Sequence, residues 1–251
     1  MTAIFDPQAA ARILLEARAG GARPTGMPDG PARPGNAYAV QAEVMRALGC
    51  PVSWKMALLC GKDRHTAAMP ASEIYRSGAT LTGLPPDAAI EVETALVLGT
   101  DLRPGGTVGT ALDAVAELRL AFEIIGSRYA DRTKVPPLAA MADSFSSAGI
   151  VLGDAIPDWR AALDRPLGLT LKLNDKDVPA VEQSLGLDQT GDFLMWLAQH
   201  AAEQRLPLLA GTVIITGARI GPISLAGVGV AVGRCVTAEV RAVFSAPDIS
   251  R

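Results

Sequence analysis

The chain has 251 residues, of which 49% are apolar and 20% charged, with a net charge of −3. This balance places it among ordinary globular proteins able to bury a full core, and the absence of a basic tract excludes the electrostatic footprint of a nucleic-acid binder. Cys50, Cys60 and Cys235 are odd in number, widely spaced and outside any C-x-x-C, which points to reduced thiols in a cytoplasmic setting and not to a disulfide frame or zinc site.

The opening MTAIFDPQAAARILLEARAGG has neither the basic start nor the long apolar stretch of a secretory signal. Asp6 and Pro7 instead mark a helix over residues 7–18 that stops at Gly20 and Gly21. GGARPTGMPDGPARPGN is then a loop, and Asn36 is placed to cap a second helix ending at Gly49. Strand signals follow at 52–60, where Lys55 interrupts the apolar run VSWKMALL. Lys55 reads either as an ordinary edge-strand lysine or as a partly buried amine beside an anionic site, holding a carboxylate or moving a proton.

The next strand, IEVETALVLG at 90–99, is apolar apart from Glu91, Glu93 and Thr94. Alternation sends Glu91 and Glu93 to one side, with Cα atoms about 6.5–7 Å apart. If the strand is buried, two carboxylates share one small volume, which is costly unless something positive joins them. The plainer alternative is an edge strand with both acids in water.

Residues 111–127 are predicted to be a helix with Val115, Leu118, Phe122 and Ile125 on one face. Glu123 lies just off that stripe and one turn from Arg119, an i,i+4 pair if nothing else claims it. Three carboxylates from a strand and a neighbouring helix would instead make an all-oxygen site for a hard cation, and magnesium suits such a site because it keeps positions open for water and substrate. Residues 167–183 resemble a hairpin, with Leu169, Leu171 and Leu173 alternating before an Asn174-Asp175 turn. Thr190 is placed to cap a helix through about Gln204, and strands are expected at 212–216, 223–232 and 235–244. Between 208 and 233 the only charge is Arg219, but the Gly221-Pro222 turn signal divides this stretch into two buried strands and argues against a membrane span. GVGVAVG at 227–233 precedes a strand, not a helix, and so marks close backbone packing instead of a phosphate loop.

No Walker loop, G-x-S-x-G or H-E-x-x-H occurs, and His65 and His200 are the only histidines. The pieces AYAVQAEV, SWKMALL, IEVETALVLGTDL, AFEIIGSRYAD, MADSFSSAGIVLG and GTVIITGARIGPISL occur in this order. In that order they resemble the fumarylacetoacetate hydrolase superfamily, specifically its 2-keto-4-pentenoate hydratase and 4-oxalocrotonate decarboxylase branch. The resemblance runs from about residue 36 to about residue 245.

That resemblance implies an α+β fold, a mixed β-roll at 51–251 preceded by an N-terminal helical extension at 1–50. It implies that Glu91, Glu93 and Glu123 bind Mg2+ or Mn2+, that Lys55 is catalytic and lines the substrate site, and that Ser146 or Ser147 hydrogen-bonds the substrate. The implied activity is hydration of a 2-hydroxy-2,4-dienoate (a 2-oxo-3-enoate) through an enolate that the ion stabilises, as in aromatic catabolism. A decarboxylase of a 2-oxo-3-enedioate and a non-catalytic binder of metal and keto acid are the alternatives. A cytoplasmic homo-oligomer with no nucleic-acid or membrane partner is expected. The chain departs from the carbon-carbon hydrolases of the superfamily, which resemble one another in a His-x-x-Glu lid that activates water: here Thr66, Ala67 and Ala68 follow His65. Ser144 stands where Asn is usual, the segment from Cys60 to Gly78 is shorter than in the pathway hydratases, and the final strands lack a Gly-Leu-Gly.

Overall fold

The computed structural model describes residues 5–59, 63–179, 181–183 and 186–245; Cys60 lies outside them. In chain order the elements are α1 (Pro7–Arg18), α2 (Pro34–Leu48), β1 (Pro51–Leu59), β2 (Asp63–Pro70), β3 (Ile74–Arg76), β4 (Thr80–Leu81), β5 (Ala89–Leu98), α3 (Val108–Asp113), β6 (Val115–Ile125) and α4 (Pro137–Ala142). They continue with β7 (Ser147–Ile156), α5 (Trp159–Leu163), β8 (Thr170–Leu173), β9 (Lys176–Asp177), α6 (Leu187–Glu203), β10 (Val213–Ile215), β11 (Ile220–Ser224), β12 (Val230–Arg234) and β13 (Glu239–Phe244).

The larger sheet runs β2-β1-β10-β5-β6-β7-β3, with β11 also pairing with β5. The smaller runs β4-β13-β12-β8-β9 and lies across β6 and β7. Gly153 makes this crossing close: a Cβ there would stand 2.6 Å from Val240 Cβ and 3.0 Å from the Leu120 carbonyl. The architecture is thus α+β with mixed, curled sheets.

The central antiparallel pair of β5 and β6 has two unlike faces. Ile90, Val92 and Leu96 of β5, with Leu118, Leu120, Phe122 and Ile124 of β6, join the main core. The opposite face carries Glu91 and Glu93 with Ala95 on β5, and Ala121 and Glu123 on β6; Ala95 and Ala121 pack there in a small separate cluster with Met69, Ile150, Val213 and Ile215. Period-2 alternation therefore sends the acids to one side while the aliphatic residues fill the core on the other.

Several expectations are corrected here. Residues 115–125 form a strand, not a helix; only Val108–Asp113 is helical, capped by Thr107 and Thr110 in reciprocal hydrogen bonds. The governing pattern in ELRLAFEI is strict alternation of Leu118, Leu120, Phe122 and Ile124 with Glu117, Arg119, Ala121 and Glu123, and tertiary pairing on both sides overrides the good helix propensities of Leu, Ala and Glu. Arg119 consequently pairs with Glu117 and the Gly153 carbonyl, not with Glu123. Asn36 does not cap α2, which starts at Pro34 after Arg33, because proline suits the first helical position. Helix α6 starts at Leu187, and Thr190 hydroxyl donates inward to the Gly186 carbonyl. The stretch 208–233 contains three strands, since the chain leaves β11 at Ser224 before β12 begins at Val230. Asp6 caps α1 through the Gln8 and Ala9 amides, and Asn174 and Asp175 take left-handed φ values of 48° and 65° at the hairpin turn, as expected of those residue types. Among the described residues no helix is long and apolar enough to cross a membrane.

Candidate functional site

Glu91 stands directly opposite Glu123 across the β5–β6 ladder, and Glu93 lies two positions along on the same face, opposite Ala121. One carboxylate oxygen from each of the three falls within 4.8 Å of the others. Glu93 and Glu123 are fully buried and Glu91 is half-buried. The third carboxylate thus comes from the neighbouring strand, not from a helix.

Lys55 reaches this group from β1. It is not an edge residue: β1 pairs with β2 on one side and β10 on the other. Its Nζ donates to both oxygens of Glu123 at 2.7 Å. The Gly217 amide, from the segment joining β10 to β11, donates to Glu93 Oε2 at 2.8 Å. Glu93 Oε1 is buried and accepts no hydrogen bond from the described residues. Gly221 sits against the same strand at φ 110°, and a Cβ there would lie 2.8 Å from the Ile90 carbonyl and 3.3 Å from Glu91 Cγ. Any other residue would press on the Glu91 side chain.

Crowded acids with one ammonium have the expected electrostatics. Burial, reinforced by the charge of Glu123, pushes the Glu91 carboxyl up to about 7 against the opposing effect of Lys55. Glu93 is pushed well above the usual carboxylate range, first by burial and then by the charges of Glu123 and Glu91. Burial works against the charge of Lys55, but Glu123, Glu91 and Glu93 more than reverse this and hold its pKa above the ordinary lysine value. Among the described residues one ammonium bonds directly to this group, on Glu123, and leaves the three acids under-compensated. The donor set, all oxygen and anionic, together with the orphaned Glu93 oxygen, fits a hard divalent cation.

Ser146 and Ser147 are both buried. Ser147 opens β7 opposite Ile125, just past an irregularity in the β6–β7 register between Ile124 and Ile125. Its Oγ is buried without a hydrogen-bond partner among the described residues. The residues before it, Ser144, Phe145 and Ser146, take left-handed φ values of 50°, 51° and 62°, which L side chains adopt at a cost. Asp143 anchors this turn. It accepts from Ser127 hydroxyl and the Arg128 amide at 2.9 Å and pairs with the buried Arg128 guanidinium, which also donates to the Ser147 carbonyl at 2.6 Å. Sequence reasoning did not single out Asp143 and Arg128, although Asp143 stands in MADSFSS. Their pairing spans 15 positions and leaves no local periodic signal.

No protein-family model matches the chain. It is 34% identical over 136 residues to a 2-keto-4-pentenoate hydratase of Paraburkholderia xenovorans (strain LB400), covering 53% of this chain and 49% of the relative. It is 31% identical over 143 residues to a 4-oxalocrotonate decarboxylase of Pseudomonas sp, covering 54% and 52%. The matched region spans about half the length of these curated relatives. The fold is shared along nearly the whole chain with the 4-oxalocrotonate decarboxylase of Pseudomonas putida G7. Its complex with calcium and acetate superposes at TM-score 0.75 with 24% identity, over 95% of this chain and 97% of that one. The complex with magnesium and adipate gives the same TM-score at 23% identity.

Proposed function

We propose that this chain is a metal-dependent hydro-lyase of the fumarylacetoacetate hydrolase type, adding water to a 2-hydroxy-2,4-dienoate as a 2-keto-4-pentenoate hydratase does. The observation that carries the reading is the convergence of Glu91, Glu93 and Glu123 from two adjacent strands, with a buried Glu93 oxygen left unbonded. The sequence similarity to a hydratase supports the choice of reaction, and the magnesium and calcium complexes of the structural neighbour support the choice of ion class.

In this reading Glu91, Glu93 and Glu123 hold Mg2+ or Mn2+. A divalent ion bound there supplies Lewis-acid polarisation of a 2-oxo acid. Lys55 binds the substrate carboxylate or carries the proton delivered to the diene, and its contact with Glu123 keeps the ammonium charged and aimed at the site. The free Ser147 hydroxyl orients the substrate, with Ser146 beside it. The Gly217 amide fixes the rotamer of Glu93. In the same reading residues 1–50 are the helical extension and 51–251 the catalytic unit of a cytoplasmic homo-oligomer serving aromatic catabolism.

The sequence and fold likeness to 4-oxalocrotonate decarboxylases supports a second reading, loss of carbon dioxide from a 2-oxo-3-enedioate. Ultraviolet absorbance of 2-hydroxypenta-2,4-dienoate and of 2-hydroxymuconate, followed with protein and magnesium, decides between them. The dienoate absorbance is expected to fall, with a 4-hydroxy-2-oxo acid as product and no carbon dioxide. Acylpyruvates are expected to remain uncleaved, because Thr66, Ala67 and Ala68 follow His65 and provide no glutamate for a water-activating dyad. Carbon dioxide from the enedioate without dienoate hydration moves the assignment to the decarboxylase, and inactivity on both with metal bound makes the protein a binder.

A further inference from the structure

Arg219 is 2% exposed and is the only charged residue between 208 and 233. Its backbone amide donates to the Val92 carbonyl at 2.8 Å, and its neighbour Ile220 is paired with Val92. Ile220 and Val92 both enter the main core, so alternation turns Arg219 toward the other face of β5, which carries Glu91 and Glu93. It lies two residues beyond Gly217, whose amide holds Glu93, and Glu93 is near enough to support the guanidinium charge against burial.

Only one edge of this guanidinium is used. Nη1 donates to Glu182 Oε1 at 3.3 Å, and Glu182 is otherwise engaged by the Leu167, Gly168 and Leu169 amides. Nε and Nη2 are buried and have no partner among the described residues. These two atoms form the side-on fork of arginine, whose parallel N–H bonds match the two oxygens of a carboxylate. Buried donors of a charged group are rarely left unmet without a ligand or water to receive them.

We infer that Arg219 is a specificity-determining residue that receives, in its Nε–Nη2 fork, a second carboxylate of the substrate, so that the preferred substrate is a diacid. The inference rests on the proposed function, in which the 2-oxo acid head is served by the carboxylate trio and Lys55. Arg219 approaches from the β10–β11 side of β5, the flank from which Lys55 also reaches across on β1, whereas Glu123 lies on the β6 side. A carboxylate in such a fork is also held against departure as carbon dioxide, because the negative charge that binds the guanidinium would pass with the electron pair of the breaking C–C bond into the remaining dienolate while the departing carbon dioxide is neutral. The fork therefore favours hydration of a dienedioate over its decarboxylation.

The test is a calorimetric titration of magnesium-loaded protein with adipate, hexanoate and 2-oxobutanoate. Wild type is expected to bind adipate at least tenfold more tightly than hexanoate. Arg219→Lys keeps the charge and loses the fork, and is expected to weaken adipate at least tenfold while changing 2-oxobutanoate less than twofold. Equal binding of adipate and hexanoate by wild type overturns the inference, as does loss of 2-oxobutanoate binding in Arg219→Lys in place of adipate binding. The wild-type comparison needs no variant, so it decides even if Arg219→Lys fails to fold. Absence of magnesium binding by wild type defeats the proposed function itself and is read in a separate titration before any acid is added.

Discussion

Lys55 stands in the metal-free protein where a site of three acids calls for positive charge, with its ammonium on both oxygens of Glu123. Lys55→Met keeps the length and apolar stem but leaves Glu123 buried and unpaired, which costs about 3–5 kcal/mol in comparable cases. Thermal unfolding without metal is therefore expected to show a large loss of stability, and added magnesium should restore more than it contributes to the wild type. Turnover should fall steeply even in magnesium. Unchanged metal-free stability would show that the ion pair does not compensate the site, and unchanged turnover would return Lys55 to a structural role. At this scale the sequence was informative wherever a polar residue interrupted an apolar run: Lys55, Glu91 and Glu93 are all conspicuous in that way. Arg219 was equally conspicuous, but its partner Glu182 is 37 positions away, and only the fold reveals which of its nitrogens are unused.

Among the elements, β6 was the one expected as a helix and found as a strand. Its residues satisfy a helical stripe at Val115, Leu118, Phe122 and Ile125 and a strand alternation at Leu118, Leu120, Phe122 and Ile124, and the single-sequence pattern does not choose between them. The outcome is decided by β5 and β7, which pair with it on both sides. Glu123 survives as a site residue because the register sets it opposite Glu91. The turn before β7 was not legible as strained, since serine and phenylalanine carry no signal for three successive left-handed residues. Asp143 and Arg128 hold that turn, so Asp143→Ala is expected to lower stability by about 3–5 kcal/mol by leaving a buried guanidinium without its partner. Denaturant unfolding measures this directly, and a loss within experimental error would show that the turn holds without the pair. Hairpin β8–β9 and helix α1, by contrast, were legible in outline because their turn and cap residues act locally.

Across the whole molecule the curled larger sheet separates the main aliphatic core from a face that combines the three acids with a smaller apolar cluster, and this separation follows from alternation even though the strand order does not. The pairing of β10 and β11 along the same flank of β5 joins residues over 100 positions apart, beyond what local pattern reveals. Helix α6 closes against an aromatic group in which His200 stacks on Trp196 at 5.2 Å and tilts against Tyr38 at 4.2 Å. Burial is the chief reason its pKa is lowered to about 4, from an ordinary value of 6.5, and the His65 charge adds to this while Glu203 opposes it. Between those values the unfolded chain binds the proton more readily, so His200 contributes stability that is fully present above 6.5 and is lost as pH falls through about 4. The midpoint of thermal unfolding is expected to fall over that interval, and His200→Gln should flatten the slope. An unchanged slope in the variant would place the acid sensitivity elsewhere.

The central claim is that Glu91, Glu93 and Glu123 form one cation site, and isothermal titration of magnesium into wild type and Glu93→Gln tests it most directly. Protons compete with the ion for these carboxylates and burial pushes Glu91 up to about 7, so the titration belongs at about pH 8, above that value. Wild type is expected to bind one magnesium per chain, and Glu93→Gln to bind none while keeping the wild-type metal-free fold. No binding of magnesium or manganese by wild type at millimolar concentration, or equal binding by the variant, would contradict the account.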